Sequence, residues 1–147
     1  MTTENTKSHE EAQIRAALDA RADAIRNKNV QGVLNQFAEE SVRFFLATPL
    51  QATVPLKDDL EDWFATWRGP IGYEIRDLKI TAGDDVAFSH SLSRYSGTKT
   101  DGEKPDVWFR DTLCFRKIDG QWLITHAHES VPFHMDGSYK AAVDLKP

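Results

Sequence analysis

The chain has 147 residues, 40% of them hydrophobic and 28% charged, which suits one globular domain with its own core. A formal net charge of −5 gives no electrostatic support to a nucleic-acid partner. A single cysteine, Cys114, excludes an internal disulfide framework and a cysteine-rich zinc site.

The opening "MTTENTKSHEE" is polar, and residues 1–8 are expected to be flexible. It lacks the hydrophobic segment of a signal peptide, and no apolar run is long enough to span a bilayer, so a cytoplasmic protein is expected. Helical spacing follows in Ile14, Leu18 and Ile25, with Arg21 and Ala22 on the same stripe. "NKN" at Asn27–Asn29 ends that helix, and a short second one carries Val30, Val33, Leu34 and Phe37. "VRFFLA" from Val42 reads as a strand, stopped at Thr48-Pro49. "LKDDLEDWFATWRGP" reads as a third helix, with Leu60, Trp63, Phe64 and Trp67 on one stripe and a stop at Gly69-Pro70.

Beyond Pro70 the period becomes two. Four strands are predicted, about Gly72 to Thr81, Val86 to Ser96, Val107 to Ile118 and Gln121 to Val131. The chain is then one α+β domain over residues 1–147, its helices segregated to one face of a curved antiparallel sheet. The Asp119-Gly120 turn predicts a tight hairpin that pairs Phe115 with Ile124, Leu113 with His126, Asp111 with His128 and Phe109 with Ser130 on the inner face. The outer face then pairs Arg116 with Leu123, Cys114 with Thr125 and Arg110 with Glu129. In the preceding strand the bulky set Val86, Phe88, His90, Leu92 and Arg94 is expected inward. Three strands would so direct Asp111, His90, His126, His128 and Arg94 toward the helices.

The ending "RKIDGQWLITHAHESVPF" resembles the "DGxWxIxHxHxSxxP" ending of SnoaL-like domains and of the association domain of calcium/calmodulin-dependent kinase. The matching residues are Asp119, Gly120, Trp122, Ile124, His126, His128 and Ser130, while Pro132 stands one residue earlier than in the kinase version. With the element order, the whole chain resembles the nuclear transport factor two-like superfamily, which includes SnoaL-like and ketosteroid isomerase-like proteins. The resemblance implies a cone-shaped curved antiparallel sheet with three helices on its concave face, and a homodimer built on the outer sheet face. At "DTLCF", Asp111 falls where ketosteroid isomerase places a hydrogen-bond-donating aspartic acid that an apolar site keeps neutral. Phe44 or Phe45 stands where its carboxylate base would be, and Arg21 or Ala22 where its donor tyrosine would be, so steroid isomerisation by that mechanism is not expected.

His126 and His128 admit three readings: a structural polar layer, an acid/base pair in a ligand pocket, or metal ligands together with His90 and Asp111. H-x-H alone carries no specific metal spacing, so no metal and no other cofactor is expected. The enzyme reading assigns catalysis to Asp111, His128 and His126. It assigns substrate binding to Arg94, His90, Trp63, Trp67, Tyr73, Phe45 and Arg21. The expected function is binding of a small, partly apolar molecule in the cone, with cofactor-independent chemistry of isomerase, dehydratase or cyclase type. The rival is a non-catalytic ligand-binding or homo-oligomeric assembly domain with a structural Asp–His layer. Trp108, Val131, Leu123, Ala127 and Cys114 are the expected apolar centre of a dimer.

Overall fold

The computed structural model of the protein describes residues 3–53 and 57–147. Three helices, α1 (Thr3–Arg26), α2 (Val30–Leu34) and α3 (Lys57–Ala65), alternate with and then give way to six strands. These are β1 (Phe37–Phe44), β2 (Ala52–Thr53), β3 (Trp67–Ala82), β4 (Val86–Lys99), β5 (Asp106–Ile118) and β6 (Gln121–Ser130). They form one curved, unclosed sheet in the order β2-β1-β6-β5-β4-β3. All pairings are antiparallel except β1 with β6. The fold is the α+β layout that the element order implies and the cone that the resemblance implies.

Several boundaries move. α1 starts at Thr3, so most of the segment expected to be flexible through residue 8 is helical, and residues 1–2 lie outside the described residues. Ile14, Leu18, Ala22 and Ile25 are buried along its inner stripe, with Arg21 among them. α2 stops before Phe37, which instead opens β1: the Ile124 amide donates to Gln36 O at 2.8 Å, and Phe37 pairs with Ile124. α3 ends at Ala65 because Thr66 turns back on it, its hydroxyl donating to Trp63 O at 2.6 Å. Lys99 Nζ holds that hydroxyl at 2.7 Å, and Trp67 and Arg68 then pair with Lys99 and Thr98. Trp67, expected on the helix stripe, is thus a strand residue, though a buried one. Leu56, the expected start of the helix, lies outside the described residues.

The Asp119-Gly120 hairpin forms as expected, both residues having the positive φ of a type I′ turn (50° and 80°). Phe115 pairs with Ile124 and Arg116 with Leu123. A bulge then intervenes. Cys114 faces His126, so Thr125 is the extra residue, its hydroxyl donating to Cys114 O at 3.4 Å. One extra residue inverts the face of everything beyond it. Ala127 and Glu129 turn inward, opposite Leu113 and Asp111, while His126 and His128 turn outward, opposite Cys114 and Thr112. The expected Asp111–His128 and Arg110–Glu129 pairs do not exist. Arg110 Nε donates to Ser130 Oγ at 3.0 Å instead.

β4 is also inverted relative to expectation. Ala87, Ser89 and Ser93 are buried, while Val86, Phe88 and His90 are exposed. Small inner residues make room for the bulk of Ile80, Phe109, Leu113 and Phe115 on neighbouring strands, all buried. The apolar outer alternation of β4 therefore reports a second apolar face, not the core.

Glu10 fastens α1 to the β5–β6 hairpin. It accepts from Lys117 Nζ at 2.7 Å and from Trp122 Nε1 at 2.6 Å. The Lys117 hydrogen bond, with help from Trp122, holds its carboxyl below the usual range against the opposing effect of burial. Glu10→Gln is expected to cost about 2 kcal/mol at neutral pH, because a charged acceptor of two donors is lost. A depressed carboxylate stabilises above its unfolded pKa and loses this effect as pH falls through its folded one. Urea unfolding of both proteins should show the gap at pH 7 and its near-disappearance in strong acid.

Candidate functional site

Five elements send polar groups to one region inside the cone. Arg21 comes from α1, Tyr73 from β3, Ser93 from β4, Asp111 from β5 and Glu129 from β6. Each strand residue sits at an inward position of its alternation, and Arg21 occupies the apolar stripe of α1. Arg21 Nη1 donates to the Tyr73 hydroxyl at 3.4 Å. The Ser93 hydroxyl donates to Asp111 Oδ2 at 3.5 Å. Asp111 Oδ1 and Arg21 Nε, both buried, have no partner among the described residues.

Protonation follows from this placement. Burial raises the Asp111 carboxyl, with Arg21 and the Ser93 hydrogen bond pulling the other way. Glu129, directly across the strand pair from Asp111, is pushed up to about 8 by burial and then by the Asp111 charge, again against Arg21. Burial lifts the Tyr73 phenol to about 12, Arg21 partly opposing it. Burial also works against the Arg21 cation, but Tyr73, Asp111 and Glu129 outweigh it, and its pKa rises above the ordinary value. One cation thus faces two carboxyls that resist ionising together.

Glu129 belongs to a second setting as well. With His128 it forms one wall of an open cleft of about 550 Å³, whose other wall is the segment from Phe44 to Gln51. A cleft of about 410 Å³ lies between α1 and α2, but its only acid, Asp23, is paired with Arg26 at 2.8 Å. The first cleft is the one that reaches an interior titratable group, Glu129.

The residues proposed from the sequence fall into three groups. Asp111, Tyr73 and Arg21 come together in the interior. Phe45 lines the cleft, whereas Trp63 and Trp67 pack with Tyr95 at the core, the rings 5.7 to 6.1 Å apart. His90, Arg94, His126 and His128 are on the outer face, which corrects their expected position beside Asp111. Arg94 is held there by Asp106, with Nε–Oδ1 at 2.7 Å and Nη2–Oδ2 at 2.8 Å, and it does not neutralise Asp111. The His126 Nδ1–H donates to Val42 O at 2.7 Å, and His126 and His128 both pack T-shaped with the Phe44 ring. Among the described residues, no three His, Cys, Asp or Glu side chains gather as a metal site. Glu129 was missed because the bulge hides its inward position, and Ser93 because a small alternation reads as a solvent face.

The expected outer apolar patch changes composition. Ala127 is buried inside and Val131 packs against the core, whereas Cys114, Leu123 and Trp108 do face outward. Trp108 is half-buried, with the Arg76 and Arg94 guanidiniums 4.8 and 5.8 Å from its ring. Val86, Phe88 and Leu92 complete this face.

No curated protein matches the chain. Solved structures do. An NTF2-like protein of unknown function from Pseudomonas putida KT2440 is 30% identical over 95% of this chain and 98% of its own, with a TM-score of 0.85. A candidate dehydratase of the NTF2-like family from Streptomyces avermitilis is 12% identical, over 84% and 97%, with a TM-score of 0.73. A candidate calcium/calmodulin dependent protein kinase II association domain from Xanthomonas campestris is 24% identical, over 80% and 84%, with a TM-score of 0.66. The two last show a shared fold alone. The SnoaL-like domain model matches residues 14–134, which include α1 from its first core residue and every strand of the sheet, so the chain belongs to the SnoaL-like family of the NTF2-like superfamily.

Proposed function

We propose that the cone binds a small, partly apolar carbonyl compound and moves a proton on it without a cofactor, with Asp111 and Glu129 as the acid/base pair. The observation that carries this reading is the pairing of two raised carboxyls across one strand pair under a single buried guanidinium. One cation balances one negative charge, so the pair keeps one proton near neutrality. A carboxylate and a carboxylic acid side by side are a base and an acid in one place. The Tyr73 phenol stays protonated and can donate to a developing oxyanion, while Trp63 and Trp67 supply apolar wall. Similarity of fold to a candidate dehydratase supports the reaction class. In a β,γ-unsaturated ketone the base would take the proton between the carbonyl and the alkene, and the acid would return one at the far alkene carbon. In a β-hydroxy ketone the same base would take the α-proton and the acid would protonate the departing hydroxyl, releasing water. The test follows both probes in D₂O by proton NMR with wild type and Asp111→Asn. Catalysed exchange or conversion lost in the variant supports the reading, and its persistence sinks it.

The outer face supports assembly of two copies. Val86 and Phe88 are about half exposed (53% and 46%) on a sheet face that also carries Leu92, Cys114 and Leu123. Phe88→Asp is expected to convert a micromolar homodimer to monomer in sedimentation velocity. A monomeric wild type would remove the proposal.

A further inference from the structure

Arg43 has no role in the pair described above, and its surroundings are unusual for a cation. It lies on the inner side of β1 opposite Ala127, only 5% exposed. Its Nε and Nη2 have no hydrogen-bond partner among the described residues. The rings of Phe37 and Phe45 lie 4.3 and 5.5 Å from its guanidinium carbon. Burial, and after it the like charge of Arg21, hold the Arg43 pKa below the ordinary value. Ring faces compensate a desolvated guanidinium only in part. A buried unpaired cation is costly, and an apolar side chain of similar length would pack there at lower cost.

Position supplies the missing partner. Phe45 is shared: it touches Arg43 and it lines the cleft that Glu129 enters. Arg21 also keeps a free Nε, on a side chain only 7% exposed. We infer that Arg43 and Arg21 form a receptor for a carboxylate carried by the ligand, beside Phe45 where the interior meets the cleft. The inference rests on the cone being a ligand site and adds the class of ligand: an aromatic or partly apolar monocarboxylate. Charge decides between anions. Arg21 is already matched by the one negative charge that the carboxyl pair keeps, and Arg43, on which no carboxylate among the described residues acts, leaves room for one further negative charge, not two. The planar fork of free N–H groups also fits a carboxylate better than a tetrahedral dianion.

The test is titration calorimetry with benzoate, its neutral isostere benzamide, and inorganic phosphate, on wild type, Arg43→Met and Arg43→Lys. Benzoate should bind wild type at least tenfold more tightly than benzamide, and more tightly than phosphate. Arg43→Met should lose at least tenfold in benzoate affinity, leave benzamide unchanged, and melt higher than wild type when ligand-free. Arg43→Lys should fall between. Equal binding of benzoate and benzamide, preference for phosphate, no benzoate binding at tens of millimolar, or an Arg43→Met that melts lower and keeps benzoate would each overturn the inference. Asp111→Asn separates the two readings. If it binds benzoate like wild type and neither protein exchanges protons, the acid/base reading falls and the carboxylate receptor stands. If the ketone probes turn over but benzoate shows no preference, the receptor alone falls.

Discussion

Arg21→Met is expected to lower stability by about 3 kcal/mol at pH 9, the scale for uncovering a buried charge, and by much less at pH 5. Met fills most of the volume of Arg21, so packing against Ile14, Leu18 and Ile25 survives. What is lost is the one cation that restrains Asp111, Glu129 and Tyr73, and it restrains all three. A carboxyl raised in the folded state adds stability that is fully present below its unfolded pKa and is lost as pH rises through its folded pKa. For Glu129 that window runs from the ordinary carboxyl value of 4.5 to about 8 in the wild type. Removing Arg21 pushes the upper edge higher and deepens the loss, so the wild-type and variant curves must diverge with rising pH. Relief of the repulsion between Arg21 and Arg43 offsets part of the effect at every pH. Urea unfolding at pH 5, 7 and 9 measures it, and parallel curves would mean that Arg21 does not compensate the pair.

The fold was legible because its signals are redundant. The α1 stripe, the Asp119-Gly120 turn and the period-two strands each constrain the layout alone, and errors of a few residues at Phe37 or Trp67 leave it intact. The site was legible only in part because it depends on parity. Asp111 lies on the strand whose alternation was read correctly, and it is indeed inside. The histidines lie beyond Thr125, and one bulge residue, with nothing in "LITHAH" to mark it, exchanges them for Ala127 and Glu129. In β4 the apolar rule itself misleads, because Phe88 and Leu92 read as core and face outward. A sheet with two apolar faces gives no parity signal, and its inner face is then set by which small residues must accommodate neighbours. Arg43 was invisible for a further reason: an arginine inside "SVRFF" reads as the solvent side of a half-buried strand, and its burial needs the parallel β1–β6 pairing, which no local pattern encodes.

Asp111→Asn and Glu129→Gln are both expected to reduce turnover of the ketone probes by about a hundredfold to ten-thousandfold, the range for a positioned acid or base. Their pH profiles should differ, and that difference carries the mechanism. The working state holds one proton on the pair. Wild-type rate should therefore fall on the alkaline side as Glu129 loses its proton at about 8, and on the acid side as the pair takes up a second one. Glu129→Gln has no proton to lose there, so its residual rate should have no alkaline limb near that value. Asp111→Asn removes the charge that helps raise Glu129, so any residual alkaline limb should move to lower pH. His90→Gln, altered on the exposed outer face, should keep both the rate and the shape of the wild-type profile. Stopped-time NMR assays across pH 5 to 10 would read all four proteins. An alkaline limb that survives unchanged in Glu129→Gln would assign the titrating group elsewhere and end the proposal of a shared-proton pair.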